Sequence, residues 1–401
     1  MSKVGSKKYF CIFGGGAIRG FAYMGVLKAL AECGITISAF AGSSVGAVIA
    51  VFAALGYDFE NSKNIFANVN LDLFSDLQLN ITKDFAISKG ERFYNWIKFC
   101  IEKKYYGDDY DENCNNPVLF KDLSKDVFVI TCNINGCNSF VFSKYTTPDF
   151  EIAKAVKIST SLPGLFPPYK FDDKVLIDGD IMKSLPMWKT NPLLYPNDCR
   201  IIEFRLEGGK NWEYVKNSVE YINAVFATMS NFATEQIIEQ YKCNDKFDYV
   251  KIDTEKILPV EFTLPQLERD NLVELGYETT KKYLTNDLLQ KKKIILPYYA
   301  VILDNLIKIK YLLSDDKIDE AKIHLYELFV YLIDCQKYID NFIYDEIVSF
   351  KNLFLGHLKK KFIFQQEMLK DKSKIEKSLE IIYNEVLERC IELQEYIDEF
   401  K

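Results

Sequence analysis

Phe40-Ala41-Gly42-Ser43-Ser44-Val45-Gly46-Ala47-Val48-Ile49-Ala50 decides how the rest of the chain is read. It predicts a short apolar strand, a tight turn over residues 42–46 and an apolar helix. The turn has the G-x-S-x-G spacing that sets a serine on a sharp strand-to-helix corner. Glycine at both ends lets the strand fold back closely on the helix. The helix start aims N–H groups and a positive dipole end at negative charge developing beside Ser44. By itself the pattern also suits a glycine-punctuated turn between two buried elements, so the flanking sequence has to decide.

Upstream, residues 8–13 (KYFCIF) form a β-rich apolar run that ends in Gly14-Gly15-Gly16-Ala17-Ile18-Arg19-Gly20. Residues 21–33 then carry apolar side chains at helical spacing, with Gly34 suited to the position just past the helix end. Residues 35–41 lead into the elbow as a second strand. Strand, glycine loop, helix, strand, elbow and helix in succession predict an α/β layer with a parallel sheet.

Downstream, residues 71–106 read as mainly helical and aromatic, and the aromatic stretch 93–106 is better explained as core than as a lipid-facing lid. Residues 126–133 and 138–143 read as strands around Asn135-Gly136, a hairpin signal. Pro148 is expected to open a helix reaching residue 158. After the proline-bearing 159–168 stretch, residues 169–177 return to strand and deliver Asp178-Gly179-Asp180. Two further strands are expected at 200–206 and 249–252, separated by a helix around 212–241. From about residue 288 the chain changes to long helical patterns rich in Lys, Glu, Ile, Leu and Tyr. The expected division is an α/β domain over 1–290 and a helical domain or arm over 291–401.

The composition narrows the function. With 48% hydrophobic and 14% aromatic residues the chain supports a large core, and its net charge of −7 gives no reason to expect nucleic acid as main partner. Ten cysteines lack CxxC pairs or zinc-ligand spacing and read as reduced thiols. Residues 1–8 lack the apolar region of a signal peptide, and the apolar run 40–57 fits a buried strand-elbow-helix better than a membrane span. A cytoplasmic protein with peripheral membrane contact is expected.

A serine nucleophile needs a base and donors for the oxyanion. The usual base is histidine, yet the chain has only two, His324 and His357, both in the helical C-terminal part. A carboxylate is therefore the expected base. Asp178 is the best placed, because it ends the apolar run Val175-Leu176-Ile177 and α/β sheets set their sites at the carboxyl ends of strands. The competing reading is an ordinary Asp-Gly turn. The glycine loop lacks both G-x-G-x-x-G spacing and a Gly-Lys-Ser/Thr, and no acidic residue ends the second strand. These features weaken a nucleotide-binding reading in favour of an oxyanion loop.

Four blocks in order resemble the patatin-like phospholipase family of Ser–Asp acyl hydrolases. They are Gly15-Gly16-Ala17-Ile18-Arg19-Gly20, Gly42-Ser43-Ser44-Val45-Gly46, the 159–168 loop and Asp178-Gly179-Asp180, spanning residues 9–186. The resemblance implies a patatin-like three-layer α/β/α fold with a mainly parallel sheet, followed by an all-helical region. It implies Ser44 as nucleophile and Asp178 as base, with oxyanion or substrate contacts at Gly15, Gly16, Ala17 and Val45. Arg19 is expected either to pin the loop through a salt bridge or to steady the oxyanion or meet a lipid phosphate. The implied substrate is a phospholipid or other acyl lipid, hydrolysed without metal or cofactor. Two positions depart from the family pattern: Ala17 where glycine is usual, and Asp180 where glycine or alanine is usual. Asp180 is expected either to raise the pKa of Asp178 as a second carboxylate or, as the preferred reading, to be a solvated loop residue. The alternatives are a weakly active pseudoenzyme working through its helical C-terminal domain, and a nucleotide-binding module.

Overall fold

The structure is a computed structural model that describes residues 8–67, 76, 86–111, 116–182, 199–208, 221, 224, 225, 228, 244–254, 257, 264–360 and 365–399. The chain divides into two compact units, one of residues 1–239 with 248–283, the other of residues 240–247 with 284–401.

The first unit is built on β1 (Lys8–Phe13), β2 (Thr36–Ser43), β3 (Asp126–Asn133), β4 (Asn138–Phe142), β5 (Tyr169–Phe171), β6 (Lys174–Asp178), β7 (Cys199–Glu207) and β8 (Phe247–Asp253). Their order in the sheet is β5-β6-β3-β2-β1-β7-β8, with β4 also paired to β3. Strands β1, β2, β3 and β7 run parallel, whereas β4 and β6 run antiparallel to β3. This is the α/β class with a mainly parallel sheet. The run YFCIF in β1 is buried throughout, as a parallel strand covered on both faces requires.

The accompanying helices are α1 (Ala22–Glu32), α2 (Val45–Ala54), α3 (Phe59–Ala67), α4 (Glu91–Tyr106), α5 (Ile152–Ser159) and α6 (Gln266–Lys282). Helix α2 has no polar face and is buried from Gly46 to Ala54. An apolar helix of that kind belongs inside a core, which accounts for the membrane-like character of 40–57. No helix among the described residues is long and apolar enough to cross a membrane. In α4, Phe93, Ile97, Cys100 and Ile101 are buried, and Phe93 stacks on Phe166 with ring centroids 6.0 Å apart. The face carrying Phe93, Ile97 and Ile101 is core, whereas Phe99 and Tyr105 on the same helix are exposed.

Three elements differ from expectation. The strand read over 169–177 is a hairpin, with β5 antiparallel to β6 and Asp172 at φ 51° in the turn. The helix expected from Pro148 starts only at Ile152, because the preceding residues pair with another segment. Lys121 N–H donates to Pro148 O at 3.1 Å, Phe120 N–H to Phe150 O at 3.3 Å and Ile152 N–H to Val118 O at 3.0 Å. Of the helical reading over 71–106, α4 is helical, Ala86 to Gly90 is not, and 71–75 and 77–85 lie outside the described residues. Most of the helix expected around 212–241 also lies outside them.

The second unit contains α7 (Leu288–Ser314), α8 (Ile318–Cys335), α9 (Asn341–Lys360) and α10 (Gln365–Glu399). Its core repeats at intervals of three and four: Ile295, Tyr299, Ile302, Leu306 and Ile309 on α7, then Ala321, Leu325, Leu328 and Leu332 on α8. That spacing puts one apolar seam on each helix. A polar cluster interrupts it. Arg389 pairs with Asp245 and Glu392, and Lys246 with Asp340. The Asp340 N–H donates to the Tyr299 hydroxyl at 2.8 Å, and the Asn244 side chain donates to Ile339 O at 2.9 Å.

Candidate active site

Strand β2 ends at Ser43 and α2 begins at Val45, so Ser44 alone makes the corner, at φ 53° and ψ −130°. Holding a residue with a side chain there costs about 1–3 kcal/mol, and such strain collects at sites of chemistry. The elbow glycines are required by space. A Cβ on Gly42 would lie 2.1 Å from Gly46 O, and one on Gly46 would lie 2.2 Å from Phe13 O. Ser159 braces the corner from the other side. Its hydroxyl donates to Ile130 O at 2.6 Å and accepts the Ser44 N–H at 3.0 Å.

The Ser44 side chain lies near enough to the Asp178 carboxylate to favour its charged form. Asp178 is 2% exposed, and burial followed by the neighbouring Asp180 carboxylate pushes its pKa up to about 7. The Asp180 N–H, 2.8 Å from Asp178 Oδ1, and the Ser44 hydroxyl hold it lower than burial alone would. A carboxylate with that pKa is a far better base at neutral pH than one near the ordinary ~3.9. The carboxyl-end argument reaches this place by an unforeseen route. Strand β6 runs against β3 and overlaps it only at Thr131–Asp178, Cys132–Ile177 and Asn133–Leu176. It therefore enters from beyond the carboxyl edge of the parallel strands and stops beside the elbow, where Ser43 pairs with Ile130.

The glycine loop turns through Gly16 at φ 154° and Ala17 at φ 49°. The N–H groups of Gly16, Ala17 and Val45 have no hydrogen-bond partner among the described residues. Gly15 differs from expectation: its N–H donates to Asp180 Oδ1 at 2.9 Å and is not available to a ligand. Arg19 is buried. Its Nε donates to Gly16 O at 3.1 Å, and its Nη1 lies 3.3 Å from both Gly208 O and Thr254 Oγ1. It pins the loop through carbonyl and hydroxyl oxygens in place of the expected salt bridge. A trans peptide points its C=O and N–H in opposite directions, so holding the Gly16 carbonyl inward turns the Ala17 N–H outward.

Asp180 is the largest departure from expectation. Its carboxylate accepts from Gly15 N–H and from Ser43 Oγ at 3.2 Å, and it lies 2.7 Å from Arg205 Nη1. The Arg205 Nε in turn donates to Glu203 Oε1 at 2.5 Å, and both β7 side chains are buried. The Tyr23 hydroxyl donates to Gly14 O at 2.9 Å. Glu203, Arg205, Tyr23 and Ser159 were not singled out from the sequence. One signal was present, since Arg200, Glu203 and Arg205 are charges inside an otherwise apolar strand.

The first unit contains no histidine; His324 lies on α8 and His357 on α9. His324 Nδ1 is 3.0 Å from Glu327 Oε2 in its own helix. Among the described residues no group of three His, Cys, Asp or Glu side chains is arranged to hold a metal ion.

Residues 11–188 match the family model described as patatin-like phospholipase, and elbow, glycine loop and Asp178 all lie within the matched span. An uncharacterized protein of Acanthamoeba polyphaga mimivirus is 26% identical over 67% of this chain and 91% of its own length. The uncharacterized protein YqhO of Bacillus subtilis is 24% identical over 68% and 97%. A protein of Invertebrate iridescent virus 6 named as a probable lipid hydrolase is 26% identical over 45% and 63%. Among solved structures, VipD of Legionella pneumophila aligns over 96% of this chain and 90% of its own, with 13% identity and a TM-score of 0.44.

Proposed function

We propose that this patatin-like chain is a lipid acyl hydrolase working through Ser44 and Asp178. Ser44 Oγ attacks the ester carbonyl carbon while Asp178 takes the hydroxyl proton. The N–H groups of Gly16, Ala17 and Val45 receive the oxyanion of the tetrahedral intermediate. Collapse of the intermediate breaks the bond to the leaving alcohol, which takes the proton from Asp178 and leaves an acyl-Ser44 ester. Water then attacks that ester and gives a proton to Asp178; Asp178 returns it to Ser44 Oγ as the acyl–Oγ bond breaks, and the fatty acid departs. An alcohol in place of water would give acyl transfer with the same groups.

The observation that carries this reading is the Ser44 corner at positive φ beside the buried Asp178 carboxylate, in a unit without histidine and with unengaged N–H groups. The family match and the relative named as a probable lipid hydrolase support a phospholipid, lysophospholipid or other acyl lipid as substrate. Contact with a lipid surface follows from that substrate class. The test is hydrolysis of p-nitrophenyl esters and of phospholipid vesicles by purified protein beside Ser44→Ala. Free fatty acid released at equal rates by both proteins would refute the proposal.

A further inference from the structure

The carboxylate of Asp180 stands where four separated stretches of chain meet. One oxygen, Oδ1, accepts from the Gly15 N–H of the glycine loop and from the Ser43 hydroxyl of the elbow, and lies 2.7 Å from Arg205 Nη1 of β7. The Asp180 main chain donates to Asp178. The fit is tight, because a Cβ on Gly15 would lie 2.6 Å from Asp180 Cγ and one on Gly14 would lie 2.5 Å from Arg205 Cδ. The loop backbone thus rests directly on the ion pair. Beneath it, Glu203 fixes the Arg205 guanidinium. The other charged or titratable groups around the carboxylate are Asp178 on its own segment, Arg19 after the loop and Tyr23 on α1. Tyr249 on β8 joins the same buried group through Arg205 and Glu203.

We infer that Asp180 is a positioning residue for the reaction at Ser44: its carboxylate, held by Arg205 and Glu203, docks the glycine loop on the elbow. By occupying the Gly15 N–H it leaves the loop to present the next two N–H groups, of Gly16 and Ala17. By placing a second negative charge near Asp178 it also sets the pH at which the base loses its proton. Glycine or alanine at this position has no group able to do either. The inference rests on the acyl-hydrolase reading for its kinetic consequences and on geometry alone for the docking of the loop.

The test compares Asp180→Asn and Asp180→Ala with the wild-type chain by ester hydrolysis, fluorophosphonate labelling of Ser44 and amide hydrogen exchange at Gly15. Asp180→Asn keeps an acceptor oxygen but loses the charge, so kcat should stay within about threefold while the acid limb moves down by about one pH unit. Asp180→Ala loses both, so kcat and labelling rate should fall about a hundredfold with KM little changed, and the Gly15 amide should exchange faster. Asp180→Ala that labels at the wild-type rate, or an unmoved acid limb in Asp180→Asn, overturns the inference. If Asp180→Ala does not fold, the Asp180→Asn pH profile decides. If wild-type protein neither hydrolyses nor labels, the function proposed above has failed. Gly15 exchange in Asp180→Ala then decides on its own, with faster exchange supporting the docking role and unchanged exchange refuting it.

Discussion

Each unit buries a cluster of charges, and the two clusters are built to different ends. In the helical unit, Arg389, Asp245, Glu392, Lys246 and Asp340 pair beside the Tyr299 hydroxyl. No residue of that cluster has a positive φ. The cluster ties the short 244–246 segment to helices whose seams are otherwise apolar. In the α/β unit, Asp178, Asp180, Arg205 and Glu203 lie beside Ser44 and Ala17, both at positive φ. There the N–H groups of Gly16, Ala17 and Val45 are unengaged. Buried charge alone therefore does not mark a site of chemistry. Buried charge next to strained backbone and unspent donors does.

The comparison breaks most sharply at Ser44. Ser44→Ala should lower ester hydrolysis by at least about a thousandfold with little change in melting temperature, since a lone nucleophile carries most of the rate. Steady-state kinetics beside a thermal melt check both halves. A similar loss on replacing a charge of the helical cluster, in a chain that stays folded, would erase the distinction.

Asp178→Asn should cost about 10²–10⁴ in kcat while stabilising the fold. Its folded pKa, about 7, is raised above the unfolded value near 3.9. In that window the folded state holds the extra proton, so the wild-type chain loses stability as pH climbs from about 4 to 7. The melting-temperature gain of Asp178→Asn over wild type should thus be absent near pH 4 and complete above pH 7. A gain independent of pH would mean that the carboxyl group is not buried as described.

In the helical unit, Leu328→Ala removes a fully buried side chain and should cost about 2–5 kcal/mol of that unit's stability, read by denaturant unfolding. The smallest effect is expected at Ala17→Gly. Relief of the left-handed backbone should add about 1 kcal/mol at most, with kcat within a fewfold of wild type.

The elbow was legible because a serine flanked by glycines at fixed offsets is a local steric demand. Gly42 and Gly46 are separated from disaster by about one methyl group, and the sequence records this directly. The heptad seams of α7 and α8 were legible for a similar reason, as periodicity is local. Asp180 was not. Its meaning depends on Gly15 and Arg205, which are 165 and 25 residues away in sequence. The D-G-D triplet looks like a solvated turn until β7 is laid beside β1. Pro148 misled for the same cause, since the pairing of 148–152 with 118–121 is a tertiary contact that overrides a helix-start signal. The hairpin turn at Asp172 was missed because β5 and β6 join into one apolar-aromatic run. Arg19 illustrates a middle case: its place beside the loop was readable, but its partners are the carbonyl oxygens of Gly16 and Gly208 and the distant Thr254 hydroxyl, which no local pattern advertises.

The central claim is that an aspartate, not a histidine, activates Ser44. The most direct measurement is the pH dependence of fluorophosphonate labelling, mapped to the modified peptide, in the chain carrying His324→Gln and His357→Gln. Labelling is expected at Ser44 with a wild-type rate that rises through a midpoint of about 7, and it should be lost in Asp178→Asn. Labelling that disappears with the histidines, or that persists at the same rate in Asp178→Asn, would contradict that claim.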